Sequence, residues 1–345
     1  MKIVIFETEQ WERGAFGGLN DGHEVMFVNE PLTPDNADHH ASADIISTFI
    51  YSDLGSETLT QLSRLKLIAT RSTGFDHIDT AYCEERGVTV CNVPTYGDNT
   101  VAEHVFGLLL TISHNLVSAI DRTRRGDFSL QGLQGFDLQG KTLGVIGTGN
   151  IGRCVIEIAR GFHMNVVAYD VAPDEDWAAQ MGFRYVEMKE VLSEADIITV
   201  HVPANKKTHH LLSREEFARM KDGAILINTS RGSVVDIQAL VRALAEKRVA
   251  AAGLDVLPEE PTIREESELL RSLYRKRHDL ETLLADHILL RLRTVFITPH
   301  SAFYTREAIE RILKTTVENI TAFAGGKPQN VVVGDKGDKR NHPEK

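Results

Sequence analysis

The sequence predicts an α/β protein of two domains, each a mainly parallel sheet wrapped by helices. Three observations lead there. Short apolar runs alternate with stretches of helical period from the first residue, the mark of repeated β-α-β units. That alternation runs its course once and starts afresh near Thr142. At 345 residues, the chain is also longer than one hydrophobic core usually supports.

The first half offers strands at residues 3–6, 24–28, 45–50, 67–70 and 88–91. The second half offers 142–146, 166–169, 197–201, 224–228, 250–255 and 295–298. Between the halves, Val101, Val105, Leu108, Leu109, Ile112, Leu116 and Ile120 recur at three- and four-residue spacing. This predicts one long amphipathic helix, either crossing between the domains or lining one core. The charged segment 262–293 carries Leu269, Leu270, Leu273, Leu280, Leu283 and Leu284 and reads as helical. Residues 334–345 have no apolar side chain to anchor them and are expected to be a disordered tail.

Thirty-eight basic residues against 49 acidic ones leave a formal charge of −11. Nucleic acid and anionic membranes both recruit a basic footprint, so neither is an expected partner. A small acid held by one arginine in a pocket remains compatible with that charge. No apolar stretch approaches the roughly 18 residues of a membrane span, and the N-terminal apolar run is too short for a secretory signal. A cytoplasmic protein is expected. Cys83, Cys91 and Cys154 are odd in number and lack CxxC spacing, so they read as reduced packing residues, with no metal site.

The apolar run Thr142-Leu143-Gly144-Val145-Ile146 leads into Gly147-Thr148-Gly149-Asn150-Ile151-Gly152, and a helical pattern follows with Ile151, Val155, Ile158, Ala159 and Phe162 on one side. Strand, GxGxxG and helix in that order form a dinucleotide fingerprint, so the second domain is read as a Rossmann domain. Gly147 permits the tight turn, Gly149 lets a pyrophosphate approach the backbone, and Gly152 allows close helix packing. The helix N-terminus offers unpaired N–H groups to the phosphates. The next strand ends in Asp170, 18 positions beyond Gly152, where a carboxylate bonds ribose hydroxyls and repels a 2′-phosphate. The expected cofactor is therefore NAD rather than NADP.

Three later strand ends carry reactive side chains, and ligands in such sheets bind at the carboxyl ends of strands. The first delivers Asn228-Thr229-Ser230-Arg231-Gly232, the second Gly253-Leu254-Asp255 and then Glu259-Glu260, the third Pro299-His300-Ser301-Ala302-Phe303-Tyr304. Reduction of a 2-keto acid needs a carboxylate anchor and a proton donor beside a nicotinamide. Arg231 and His300 meet those two needs. A carboxylate beside an imidazole stabilises its proton-bearing form, the role open to Glu260.

With these motifs the sequence resembles the D-isomer-specific 2-hydroxyacid dehydrogenases. The likeness runs from about the second strand to residue 333 and is strongest to the family's D-lactate branch. It implies a flavodoxin-like substrate domain, 1–99 plus 300–333, and an NAD-binding domain, 100–299. It also implies a catalytic set of Arg231, Glu260 and His300, with Glu260 rather than Glu259 because the family glutamate stands five places after the aspartate matched by Asp255. Cofactor contacts are implied at Asn150, Ile151, Asp170, Val202, Pro203, Thr208, Thr229, Ser230, Arg231 and Asp255. Thr208 stands where some members have Asn, and Asp255 is expected to hold the nicotinamide carboxamide. Thr73 and Gly74 match the loop whose backbone N–H groups hold the substrate carboxylate.

Tyr51, Tyr96 and Phe303 stand where the D-lactate branch has pocket aromatics, Phe303 closing over a methyl group. The expected reaction interconverts pyruvate with NADH and D-lactate with NAD, in a homodimer built on the nucleotide domains. The alternatives are another D-2-hydroxy acid, such as hydroxyisocaproate, phenyllactate or glycerate, or an NAD-sensing corepressor on the same scaffold. The acidic charge and the aromatic pocket favour the enzyme.

Overall fold

The computed structural model describes residues 1–258 and 280–334. Glu259, Glu260, most of the segment expected to be helical between 262 and 293, and the tail from 335 onward lie outside the described residues. The chain forms two compact units, one of Met1–Tyr96 with the C-terminal part from Thr305, the other Gly97–Tyr304. The expected borders were 99/100 and 299/300. Both shift because Gly97 already caps the helix Asp98–Ser113, while the backbone after His300 is tied to Asp255.

In the first unit, strands β1 (Lys2–Ile5), β2 (Glu24–Phe27), β3 (Ile45–Thr48), β4 (Leu67–Thr70) and β5 (Thr89–Cys91) pair in parallel. Including β13 (Val331–Val333), the order is β13-β5-β4-β3-β1-β2. This is the expected flavodoxin-like arrangement, with its reversal of strand order between β1 and β3. Every residue of β3 and β4 is buried, as in a sheet covered on both faces, whereas the edge strand β2 alternates exposed and half-buried. β13, unforeseen in the sequence, adds an antiparallel edge beside β5. Helix Arg306–Ala324, capped by the Thr305 side chain, packs on β4.

The second unit holds β6 (Thr142–Ile146), β7 (Asn165–Tyr169), β8 (Arg184–Tyr185), β9 (Ile197–Val200), β10 (Ala224–Asn228), β11 (Val249–Leu254) and β12 (Val295–Ile297). They form one parallel sheet in the order β12-β11-β10-β9-β6-β7-β8. The order reverses at β6 and β9, the switch point where a doubly wound sheet opens a crevice for a nucleotide. The six strands expected in this half are present, and β8 is an additional short edge strand.

The long helix is a correction. Its pattern breaks at His114-Asn115 into Asp98–Ser113 and Leu116–Arg124. Val105, Leu108, Leu109 and Ile112 are buried in this unit's core with Leu143, Val145 and Val155, and Val101 is buried too, so the first piece is a core helix. Asn115 takes a left-handed φ of 51°, and its side chain donates to the carbonyls of Leu133 and Gln134. Phe136 N–H donates to the Ser113 carbonyl, and a Cβ on Gly135 would lie 2.0 Å from that oxygen. Docking of this return segment stops the helix. Leu116 and Ile120, expected on the buried face, are 40% and 48% exposed.

Helix Leu280–Leu289 buries Ala285 and Leu289 against the core near helix Ile237–Ala245. Among the described residues no helix is long and apolar enough to cross a membrane, and no His, Cys, Asp and Glu group is placed to hold a metal ion. The three cysteines are free thiols. Burial raises Cys83 to about 11 and Cys91 to about 12, so neither is a ready nucleophile.

Candidate active site

The glycine turn follows β6 and enters helix Asn150–Gly161. Gly147 has φ +94°, and a Cβ there would lie 2.7 Å from the His201 carbonyl. A Cβ on Gly152 would lie 2.1 Å from the Gly147 carbonyl, so helix and turn touch through backbone alone. A Cβ on Gly149 would meet nothing within 4 Å among the described residues beyond its chain neighbours. Packing therefore demands two of the glycines, and the third leaves open space where a ligand would meet the backbone. Asn150 and Ile151 open the helix, where amides lack intrahelical acceptors, as an anion site requires.

Asp170, just past β7, accepts from Thr148 N–H at 2.6 Å and from Thr148 Oγ1 at 3.0 Å through one oxygen, and from Ala172 N–H at 2.9 Å through the other. Tyr185 Oη stands 2.9 Å from Thr148 Oγ1. Because the carboxylate only accepts, Thr148 donates to it and Tyr185 donates to Thr148. Asp170, expected from the sequence as the ribose acid, is the peg that fixes the turn. Asp170→Ala is expected to weaken NADH binding about 10–100-fold, as loss of charge-assisted bonds does, and to relax discrimination against NADPH. Fluorescence titration with both nucleotides checks this; NADH affinity equal to the parent's would contradict the peg.

Val202 and Pro203 follow β9, and Thr208 closes the next turn by donating to the Pro203 carbonyl at 2.6 Å. Thr229, after β10, is buried, and its Oγ1 has no hydrogen-bond partner among the described residues. An orphaned buried hydroxyl on the nucleotide edge fits a ligand contact. Ser230 N–H and Oγ both donate to Asn228 Oδ1, and Asn228 Nδ2 donates to the Arg231 carbonyl, so Asn228 shapes the arginine turn. Gly232 lets that turn lie on the Leu257-Pro258 peptide, where a Cβ would meet Leu257 C at 2.2 Å.

The register aligns Asn228 with Leu254 and Leu254 with Ile297. The chains leaving β10, β11 and β12 therefore emerge side by side at one edge, carrying Arg231, Asp255 and His300. His300 has φ +52°, a left-handed conformation uncommon outside glycine. Its N–H donates to the carbonyls of Asp255 (3.0 Å) and Thr298 (2.9 Å), and its ring meets Phe303 edge-on at 6.3 Å. Phe303 is buried, and Gly97 packs beside it. A second histidine, His201, has Nε2 2.8 Å from Thr199 Oγ1, and burial pushes it down to about 3, so it stays neutral.

Asp255 is buried among protein donors. Thr298 Oγ1 (2.5 Å), Ser301 N–H (2.9 Å) and Ala302 N–H (2.9 Å) all donate to its carboxylate. His104 Nε2 lies 3.0 Å from Thr298 Oγ1 and 3.5 Å from Asp255 Oδ1. Since Thr298 donates to the acid, His104 donates to Thr298. Asp255 thus folds the loop that carries His300. Sequence reading missed His104, Thr298, Thr148 and Tyr185 in these networks. The one signal was a histidine beside the apolar stripe of its helix.

In the first unit, Thr73 and Gly74 follow β4. Thr73 Oγ1 donates to the Val93 carbonyl, Asn92 Nδ2 donates to the Thr73 carbonyl, and Ser72 Oγ donates to the Gly74 carbonyl. No acceptor for the Thr73 and Gly74 N–H groups is found among the described residues. Tyr51 follows β3 and is 45% exposed; Tyr96 is half-buried, and its carbonyl accepts from Arg311.

An open parallel sheet with a glycine turn at its switch point, an acid after the next strand, and an arginine and a histidine after the two strands that flank β11 defines a nucleotide-dependent α/β dehydrogenase. Residues 106–302 match the family described as D-isomer specific 2-hydroxyacid dehydrogenase, NAD binding domain. A 2-hydroxyacid dehydrogenase homolog of Haemophilus influenzae is 36% identical over 96% of this chain and 99% of its own. The D-lactate dehydrogenase of Escherichia coli is 34% identical over 95% and 98%. The crystal structure of D-lactate dehydrogenase from Aquifex aeolicus, complexed with NAD and lactic acid, is 36% identical and superposes with a TM-score of 0.85 over 96% of this chain and 99% of that one. The chain belongs to the D-isomer-specific 2-hydroxyacid dehydrogenase family. It is an NAD-dependent oxidoreductase of 2-hydroxy acids.

Proposed function

We propose that the chain reduces pyruvate to D-lactate. The observation that carries this reading is the placement of Arg231 and His300 after β10 and β12, the two strands that flank β11, at one edge of the sheet that bears the glycine turn. Phe303, buried against His300, supports a small pocket suited to a methyl group. The Arg231 guanidinium takes the substrate carboxylate and polarises the adjacent carbonyl, with Thr73 and Gly74 N–H groups as further donors. Bound NADH supplies the hydride. His300, proton-loaded, gives its imidazole proton to the C2 oxygen, so carbonyl becomes hydroxyl, and Glu260 is its carboxylate partner. Gly147, Gly149, Asn150, Ile151, Gly152, Val202, Pro203, Thr208, Thr229 and Ser230 line the nucleotide. Asp255 reaches it indirectly, through the loop it folds, or by contact with the carboxamide.

The test is NADH oxidation against pyruvate, 2-ketoisocaproate, phenylpyruvate and hydroxypyruvate. Highest kcat/KM on pyruvate is expected; a higher value on a larger acid would move the chain to another branch, and no turnover on any would favour a sensor.

A homodimer is also proposed. Leu116, Val117 and Ile120 are 40–48% exposed on helix Leu116–Arg124, with Phe128 and Leu130 at 79% and 84% nearby, an apolar surface suited to a second copy. Sedimentation velocity should give a dimer, and Leu116→Lys with Ile120→Lys a monomer; a monomeric parent would end this proposal. The free thiols support a reducing compartment such as the cytoplasm.

A further inference from the structure

The first unit's sheet reverses its strand order between β1 and β3. In doubly wound sheets that is where a crevice opens at the carboxyl ends of the strands. Phe6 and Glu7 leave β1 there, and the segment Phe49-Ile50-Tyr51-Ser52 leaves β3. We propose that Glu7 is a positioning residue for substrate selectivity: it holds the Tyr51 segment in place at this switch point.

The carboxylate of Glu7 binds that segment at three points. One oxygen accepts from Phe49 N–H at 2.7 Å and Ser52 Oγ at 2.6 Å, the other from Tyr51 N–H at 2.8 Å. Ser52 Oγ in turn accepts from Leu32 N–H at 2.9 Å. Glu7 itself stands at φ +51°, a conformation glutamate rarely takes. Arg71 keeps it there. Buried at the end of β4, Arg71 donates through Nη2 to the carbonyls of Phe6 (2.7 Å) and Glu7 (2.8 Å), and through Nη1 to Ser47 Oγ at 3.3 Å. Arg71 immediately precedes the Ser72-Thr73-Gly74 loop. One acid thus couples the ends of β1, β3 and β4, with Tyr51 on its outer side.

Packing alone does not call for this arrangement. A hydrophobic contact would hold the segment without fixing a register, whereas three short bonds to one carboxylate set the backbone at Tyr51 within tenths of an ångström. The engaged carboxylate, with Arg71 behind it, also keeps a negative charge from standing bare where an anionic substrate is received. The inference rests on the proposed reduction of pyruvate, with Tyr51 as the pocket aromatic that the family resemblance implies.

The test compares Glu7→Gln and Tyr51→Ala with the parent, measuring kcat/KM on pyruvate and phenylpyruvate and the Kd of NADH. Glutamine is nearly isosteric, but in either orientation its NH2 faces a backbone N–H, of Phe49 or of Tyr51. The segment is then released without an empty cavity. Glu7→Gln should raise the phenylpyruvate-to-pyruvate ratio about 10-fold, the scale set by sub-ångström misplacement in a site. NADH affinity should stay unchanged, and Tyr51→Ala should shift the ratio the same way. An unchanged ratio in Glu7→Gln with a shifted one in Tyr51→Ala overturns the inference and spares the pocket assignment. Unchanged ratios in both overturn both. A shift in Glu7→Gln alone overturns the route through Tyr51. If Glu7→Gln does not fold, Ser52→Ala removes one of the three bonds, and an unchanged ratio there overturns the inference equally.

Discussion

Glutamine in place of His300 is expected to slow pyruvate reduction by about 10²–10⁴, the usual worth of a positioned acid, with NADH affinity intact. The backbone at this residue is independent of the ring, because its N–H donates to the carbonyls of Asp255 and Thr298. The loop beyond it is fastened by Asp255 through Ser301 and Ala302. Glutamine can therefore occupy the site and still donate a hydrogen bond, but it has no proton to transfer at neutral pH. Stopped-flow measurement of NADH oxidation in a single turnover isolates the chemical step. A loss smaller than about 10-fold would remove His300 from the role of acid.

Arg231→Ala carries the second large effect. Two charge-assisted bonds to a carboxylate are each worth about 1.5–3 kcal/mol, so kcat/KM should fall about 10²–10⁴. Both parameters should move: KM through the lost anchor and kcat through the lost polarisation of the carbonyl. Arg231→Lys separates charge from shape. Lysine keeps the charge without the planar fork and should recover only part of the loss. The turn should survive either change, since Asn228 shapes it through the Arg231 carbonyl and the Ser230 N–H. Steady-state kinetics on the folded variants, with an unchanged KM in Arg231→Ala, would move the anchor to another residue.

Much of this was legible in the sequence where a single residue type answers a local demand. Gly147 and Gly152 are glycines because a Cβ would strike backbone, and such constraints show in a motif. The strands β3, β4, β9 and β10 are buried throughout, so continuous apolar runs announced them. Features set by distant parts of the chain stayed hidden. The helix break at Asn115 depends on Gly135 docking onto Ser113, while the apolar spacing runs on through Leu116 and Ile120. Strands β8 and β13 are short edges with no periodicity to read. The bonds from Glu7 to Phe49, Tyr51 and Ser52 span more than forty residues, and those of Asp255 to the His300 loop are as remote. Asp255 was read only as a cofactor residue; that its carboxylate also gathers the loop presenting the histidine was not legible.

The central claim is that this chain moves a hydride from NADH to C2 of a 2-keto acid and delivers the D-isomer. The most direct measurement is reduction of pyruvate with NADH carrying deuterium at its transferable position, followed by mass spectrometry and chiral separation of the product. The expected product is D-lactate with deuterium bonded to C2. L-lactate, or D-lactate without the label at C2, would contradict it.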